Sequence, residues 1–168
     1  MIILLSNDDG YLADGINILA AHLKKIAEII IFAPKENHSG SSSALTLRSE
    51  LQIKKIDDNI FCVNGTPADT VYLGLSGFLD IEPDMVISGV NHGANLGEDV
   101  LYSGTVAAAI EGRSLGIPSI AISSINKNNN NYKVAAQVAV ELVEKLKSHP
   151  FPSDTILNVN VPDRSMGD

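Results

Sequence analysis

The sequence predicts an α/β protein with a Rossmann-like, three-layer fold and a mainly parallel sheet. Short apolar runs rich in Ile, Leu and Val alternate with longer segments whose apolar residues recur at helical spacing. The first third already has the order strand, helix, strand, which is typical of a right-handed βαβ unit. With 168 residues, 45% of them hydrophobic, the chain is expected to form a single domain over residues 1–168.

The first half of the chain predicts a βαβ unit followed by an antiparallel excursion. Residues 2–5 and 28–33 are short, β-branched runs typical of buried strands, and Asp14 is expected to cap the helix between them. The polar residues 34–43 predict a loop. Short strands are expected at 44–47, 51–56 and 60–63, with the antiparallel part between residues 44 and 63.

The second half predicts three helices and three further strands. Thr66 supplies a capping hydroxyl, Pro67 suits the first helical position and Asp69 completes a capping box, so a helix starts there. The glycine-rich residues 89–102 predict a long loop, and loops of that length are usually functional. Strands are expected at 85–88, 118–123 and 156–161, helices at 103–115 and 132–147, and a solvent-exposed polar loop at 126–131.

Composition excludes some functions. Twelve Lys and Arg against 20 Asp and Glu give a net charge of −8 without a basic stripe, which argues against a nucleic-acid polymer as partner. The longest apolar runs, such as residues 29–33, are too short to span a bilayer, so we expect no membrane association and a cytoplasmic protein. The single Cys62 is expected to be an inert core residue, compatible with a reducing compartment.

Polar side chains follow three of the predicted parallel strands. Asp8 and Asp9 come after the first, Ser39 after the second, and Asn91 and Asn95 after the third, so these loops should converge at one sheet edge. Their carboxylate, hydroxyl and amide oxygens suit Mg²⁺, Mn²⁺ or Ca²⁺ rather than zinc. Taken alone, the acidic pair is more often an ordinary Asx turn.

A fourth element is the predicted helix start at Ser103-Gly104-Thr105. Its free N–H groups would bind a phosphate, and the simpler interpretation is an ordinary serine cap. His38 and His92 lie beside candidate ligands, where each is either a general acid or phosphate donor, or simply exposed.

Taken together, these segments resemble the SurE family of survival proteins, which are metal-dependent nucleotidases. The matches occur in order between residues 2 and about 123, and their joint spacing is specific although each is weak alone. The matching stretches are Ser6-Asn7-Asp8-Asp9-Gly10, Ala33-Pro34, Ser39-Gly40, Gly65-Thr66-Pro67-Ala68-Asp69, Ser88-Gly89-Val90-Asn91-His92-Gly93-Ala94-Asn95, Ser103-Gly104-Thr105-Val106, Glu111-Gly112 and Ile117-Pro118-Ser119-Ile120-Ala121.

The resemblance implies a phosphoric monoester hydrolase, a 5′-nucleotidase acting on nucleoside 5′-monophosphates and in some members on 3′-nucleotides and short polyphosphate. The family's metal ligands fall on Asp8, Asp9, Ser39 and Asn91. Its substrate contacts fall on or beside Asn95, Ser103, Gly104 and Thr105. Asp8 and Asp9 are the catalytic candidates, with Asp8 preferred to orient or deprotonate the attacking water, although the sequence does not separate the two.

One departure from the family concerns length. Members continue beyond the strand at 156–161 into a C-terminal arm used in dimer or tetramer exchange, whereas this chain ends at Asp168. We therefore expect a domain truncated relative to the family, with its oligomeric state open. The alternative function is a non-catalytic nucleotide- or phosphate-binding module that lacks activity because of the truncation.

Two other classes also place acids after the first strand. A phosphotransfer receiver domain needs an Asp at the end of its third sheet strand and a Lys further on, but the strand at 85–88 ends in Ser88 and Gly89. Phosphatases with an aspartyl nucleophile have their two acids one residue apart. The adjacency of Asp8 and Asp9 therefore argues against these phosphatases, and the end of the strand at 85–88 argues against a receiver domain.

Overall fold

The computed structural model describes residues 1–78, 82–125, 132–152 and 154–162. The strands are β1 (Ile2–Ser6), β2 (Glu28–Pro34), β3 (Ile53–Asp57), β4 (Ile60–Val63), β5 (Met85–His92), β6 (Ser119–Ile125) and β7 (Ile156–Pro162). The helices are α1 (Asp14–Leu23), α2 (Pro67–Leu75), α3 (Gly104–Ser114) and α4 (Tyr132–Leu146), with a 3₁₀ helix at Gly97–Leu101. The polar loop expected at 126–131 lies outside the described residues.

The strands form one seven-stranded sheet in the order β3-β4-β2-β1-β5-β6-β7. Every neighbouring pair is parallel except β3 and β4, which confirms the predicted mainly parallel sheet with an antiparallel excursion. In the centre, Leu5 of β1 lies opposite Ile31 of β2 and Ile87 of β5. The loops that leave these three strands therefore start at the same edge of the sheet.

The helices cover both faces of the sheet and make the fold three-layered. Ile3 and Leu5 belong to the core under α1 and α4, whereas Leu4 belongs to the core under α2 and α3. Successive strand side chains point to opposite faces, so a central strand needs apolar residues at every position. The unbroken apolar run that predicted β1 is therefore explained by burial on both sides.

Two local predictions are wrong. Residues 44–47 form no strand, because their polar groups bond to the start of α2: Thr46 donates from N and Oγ1 to the carboxylate of Asp69, and Ala44 O accepts from Thr66 Oγ1. The cap of α1 is Ala13 without a side-chain bond, and Asp14 is the first helical residue. An acid in that first turn still interacts favourably with the helix dipole. The capping box of Thr66 and Asp69 is confirmed.

The loop predicted at residues 89–102 is shorter than expected, because β5 continues to His92. Its pairing with β6 changes register there, since Ser88 faces Ala121 and Asn91 faces Ser123, so Gly89 and Val90 together oppose one residue of β6. Such a bulge bends the strand and changes the direction of the side chains that follow. No helix among the described residues is both long and apolar enough to cross a membrane.

Candidate active site

The chain leaves β1 through a turn that Asn7 closes. Asn7 Nδ2 donates to Gly10 O at 2.9 Å, and Gly10 N donates back to Asn7 Oδ1 at 3.1 Å. Gly10 has a φ of +99°, a conformation that side-chain-bearing residues rarely adopt. The strand ends at Ser6, and the turn that Asn7 and Gly10 close therefore holds Asp8 and Asp9 outside strand geometry.

Asp8 connects the loop after β1 to the loop after β2 and to the start of α3. The residue is 4% exposed, and its Oδ1 accepts a hydrogen bond of 2.6 Å from Thr105 Oγ1 on α3. Its backbone carbonyl accepts from His38 N at 2.7 Å. A Cβ at position 104 would lie 2.7 Å from Asp8 Cβ, so glycine there gives Asp8 the space to pack against the start of α3.

Asp9 is only partly buried and connects to the second loop. Its Oδ1 accepts from Asn37 Nδ2 at 3.1 Å, and Asn37 Oδ1 accepts from Ser39 N at 2.8 Å. Asn37 thus links Asp9 to Ser39, a role that the sequence analysis missed. Its signal was available, because an Asn two residues before a polar loop residue is the pattern of an Asx turn.

The second loop continues onto the start of α3. Ser42 N donates to Tyr102 O at 3.1 Å, which holds this loop beside the helix. Ser41 Oγ is buried without a hydrogen-bond partner among the described residues and lies 3.0 Å from the Cβ position of Gly104. Ser41 is a second residue that the sequence analysis did not single out.

Asn91 reaches the same edge from β5. Ser6 and Ser88 are register partners, and Asp9 and Asn91 each lie three residues further along their chains. Asn91 Nδ2 donates to Gly93 O at 2.9 Å, and no hydrogen bond to its Oδ1 occurs within the described ranges. The side-chain oxygen is therefore the group that Asn91 can offer to a cation.

Asn95 is held firmly by the two outer strands. Its N donates to Asn160 Oδ1 at 2.8 Å, and its Nδ2 donates to Ser123 Oγ at 2.9 Å. Its carbonyl accepts from the side-chain amides of Asn158 and Asn160. The sequence showed these two asparagines only as the polar positions of an alternating strand, without their partner in the third loop.

The start of α3 is capped as expected. Ser103 Oγ accepts from Val106 N at 3.1 Å, which leaves the hydroxyl proton of Ser103 free to be donated elsewhere. Thr105 differs, because its only hydroxyl proton is donated to Asp8. Ser103 can therefore donate its hydroxyl proton to a phosphate, whereas the hydroxyl proton of Thr105 is already used.

Both carboxylates have a raised pKa, chiefly because of burial. Burial raises the pKa of Asp8 above 3.8, and hydrogen bonds from Thr105 and the charge of His38 oppose that rise only in part. Burial and the charge of Asp8 raise the pKa of Asp9, opposed by His92 and Asn37. Burial, followed by the charges of Asp9 and Asp14, also raises the pKa of Tyr132 in α4.

A cation between the carboxylates would relieve this repulsion. For both Asp8 and Asp9, the part of the chain that the structure describes provides a hydrogen bond to Oδ1 and none to Oδ2. Across the described residues no group of three His, Cys, Asp or Glu is placed to hold a metal, so a ligand set here needs neutral oxygens such as those of Ser39 and Asn91. The donor chemistry fits a hard divalent ion.

Acidic loops at the centre of a parallel sheet, beside the buried start of α3, lie at the edge where α/β proteins of this class bind phosphate-containing ligands. The chain belongs to the SurE family, whose model, described as "Survival protein SurE", matches residues 3–168. This membership confirms the resemblance seen in the sequence.

Individual relatives carry the same family name. The chain is 56% identical over 163 residues to 5′-nucleotidase SurE of Methylococcus capsulatus, covering 97% of this chain and 65% of that protein. The same values hold for 5′-nucleotidase SurE of Legionella pneumophila strain Lens. The crystal structure of the SurE protein from Aquifex aeolicus superposes with a TM-score of 0.93 at 46% identity, covering 98% of this chain and 67% of that one. The chain thus spans 65% of the length of the curated relatives named here.

Proposed function

We propose that this chain carries the catalytic site of a divalent-metal-dependent phosphatase that hydrolyses nucleoside 5′-monophosphates. The observation that carries the proposal is the 2.6 Å bond between Asp8 and Thr105, because it joins the acidic pair to the start of α3. Oxygen ligands and helix N–H donors are the two components needed to bind a phosphate monoester through a metal. The relatives named 5′-nucleotidase SurE support the same substrate class.

The metal would be held by Asp8, Asp9, Ser39 and Asn91. Mg²⁺ or Mn²⁺ is preferred, since all four side chains offer hard oxygen ligands. When bound, such an ion would neutralise phosphate charge and lower the pKa of a coordinated water. The residues' own part is to bring two carboxylates to one point, which the turn at Asn7 and Gly10 favours.

The phosphate would lie at the start of α3. The N–H of Gly104 belongs to the first helical turn and has no acceptor within the helix, and the Ser103 hydroxyl retains its proton. The second amide hydrogen of Asn95 adds a third donor, because the first is used by Ser123. Donors fixed in this way stabilise charge that develops on the equatorial oxygens during in-line attack.

The attacking water would lose its proton to one of the two carboxylates. Asp8 is buried and bonded to Thr105, whereas Asp9 is partly exposed. Asp9 is therefore the better placed of the two to meet a water molecule, which reverses the preference based on the sequence. Asp8 then serves mainly to hold the metal and the helix start together.

Phosphate release tests the proposal. Wild type and Asp9→Asn are assayed on a panel of nucleoside 5′-monophosphates with Mg²⁺ or Mn²⁺, with and without chelator. We expect metal-dependent release that Asp9→Asn abolishes, and Asp58→Asn is the matched control because Asp58 lies in an exposed turn between β3 and β4. Activity that survives the chelator, or an unaffected Asp9→Asn, would contradict the proposal.

The alternative, a non-catalytic nucleotide-binding module, uses the same residues. Nucleotide that raises the thermal unfolding midpoint without any turnover would favour this module over the enzyme. A cytoplasmic location belongs to the same proposal, and the family's dimers and tetramers make the oligomeric state of this chain the second quantity to measure. Light scattering on the purified chain measures the second.

A further inference from the structure

Thr105 and Thr70 are buried threonines in the first turns of the two helices that cover one face of the sheet. Both are 0% exposed; Thr70 contacts Ser6 at the end of β1, and Thr105 contacts Asp8 in the loop that follows β1. The Thr70 hydroxyl donates to Pro67 O at 2.7 Å and lies 2.9 Å from Ser6 Oγ. The Thr105 hydroxyl donates to a carboxylate instead, at 2.6 Å from Asp8 Oδ1.

The proton of the Thr105 hydroxyl is already in use. A threonine has a single O–H donor, and here it is directed at Asp8 Oδ1, so it is not free for a phosphate oxygen. Gly104 packs against Cβ of the same aspartate. Together, these contacts hold the Asp8 carboxylate in one orientation.

The two oxygens of Asp8 consequently differ. Oδ1 is paired with Thr105, whereas Oδ2 has no hydrogen bond from any described residue and lies 3.1 Å from the Cβ position of Gly104. A carboxylate whose rotation is fixed presents one oxygen to a cation without first losing rotational freedom. Partners of this kind behind metal ligands typically change metal affinity by about 10- to 100-fold when removed.

We propose that Thr105 is a positioning residue for metal binding, which orients Asp8 so that Oδ2 faces the ion. This inference rests on the proposed function, because it takes Asp8 as a metal ligand. It assigns Thr105 a different role from the phosphate contact that the family resemblance implied. Ser103 and Gly104 remain the phosphate donors of this helix start.

The test measures Mn²⁺ binding to the full chain by calorimetry, without nucleotide. Thr105→Val removes the hydroxyl and keeps the shape, and we expect affinity to fall about 10-fold or more. Thr105→Ser restores the hydroxyl and should bind Mn²⁺ close to wild type. Thr70→Val is the matched control: it removes an equally buried hydroxyl from α2, and should lower the unfolding midpoint while leaving Mn²⁺ affinity unchanged.

Three results would overturn the inference. Thr105→Val that binds Mn²⁺ normally but has a raised KM for adenosine monophosphate would make Thr105 a substrate contact. Equal Mn²⁺ affinity in Thr105→Val and Thr70→Val would show that loss of the Thr105 hydroxyl has no specific effect on metal binding. Failure of Thr105→Ser to restore binding would exclude the hydroxyl as the cause.

Two further controls are needed, one for misfolding of the Thr105 variants and one for failure of the proposed metal-dependent function. Thr105→Ala removes the same hydroxyl with a good helix former, and takes the place of Thr105→Val if that variant does not fold. Wild type that binds no Mn²⁺ would refute the proposed metal-dependent function itself. Wild type that binds Mn²⁺ and releases phosphate, with Thr105 variants of unchanged affinity, would refute only the role of Thr105.

Discussion

The starts of α2 and α3 are built from similar residues and differ in where their carboxylate comes from. Each helix has a hydroxyl cap, Thr66 or Ser103, and each lies on the same face of the sheet. In α2 the carboxylate is Asp69, three residues after the cap, and it accepts bonds from Thr66 N, Thr46 N and Thr46 Oγ1. In α3 it is Asp8 from the loop after β1.

This difference separates a structural helix start from a candidate functional one. In α2 the capping box of Thr66 and Asp69 also binds residues 44 and 46. Both carboxylate oxygens of Asp69 therefore accept hydrogen bonds within the protein. The first turn of α3 contains no acid, and the aspartate that meets it keeps one oxygen without a partner in the described part of the chain. A ligand site thus arises where a helix start depends on another element for its carboxylate.

The largest expected effects come from replacing Asp8, beside the start of α3, or Asp69, at the start of α2, with asparagine. Asp8→Asn should lower metal-dependent phosphate release by more than about 100-fold, since loss of a ligand costs more than loss of a partner behind it. Asp69→Asn should instead lower the free energy of unfolding by roughly 1–3 kcal/mol, because one of the two acceptor oxygens that serve Thr46 and Thr66 is replaced by an NH₂ donor. Activity assays and denaturant unfolding of both variants measure the contrast. Similar losses of activity at equal folded fraction would remove the distinction between the two helix starts.

The two caps provide a smaller, more selective comparison. Ser103→Ala and Thr66→Ala should each cost about 1 kcal/mol of unfolding free energy, the usual value of a helix cap. Only Ser103→Ala should also raise the KM for a nucleoside monophosphate, because its hydroxyl proton is free to be donated. Steady-state kinetics beside thermal unfolding separates the two effects. A KM change in Thr66→Ala of the same size would show that the cap acts through folding alone.

The smallest effect concerns Glu111, on α3. Burial, followed by the charge of Asp69 on α2, raises the pKa of Glu111 above 4.5. A carboxyl with a raised folded pKa binds protons more tightly when folded, so its contribution to stability is present at low pH and is lost as pH rises through the raised pKa. Glu111→Gln should therefore be more stable than wild type above that pH, and the difference should shrink toward pH 4. Unfolding midpoints across this range check the sign, and a difference that grows on acidification would contradict it.

Much of the fold could be predicted because its signals are local. The apolar run of β1, the capping box at Thr66 and the cap at Ser103 each depend on residues within a few positions. The segment at 44–47 was predicted wrongly because its partners, Thr66 and Asp69, lie 22 and 23 residues away. Local alternation there resembled a strand, and tertiary hydrogen bonds decided otherwise.

The candidate site also has a part that the sequence predicts and a part that depends on the tertiary structure. The sequence by itself determined which oxygen-bearing side chains follow the central strands, because the positions of Asp8, Asp9, Ser39 and Asn91 after apolar runs place them at one sheet edge. Only the tertiary structure decided which of their atoms are free. The bond from Thr105 to Asp8 spans 97 residues, and the bond from Asn95 N to Asn160 Oδ1 spans 65. Contacts of that range depend on how helices pack against strands, and no local pattern contains that information.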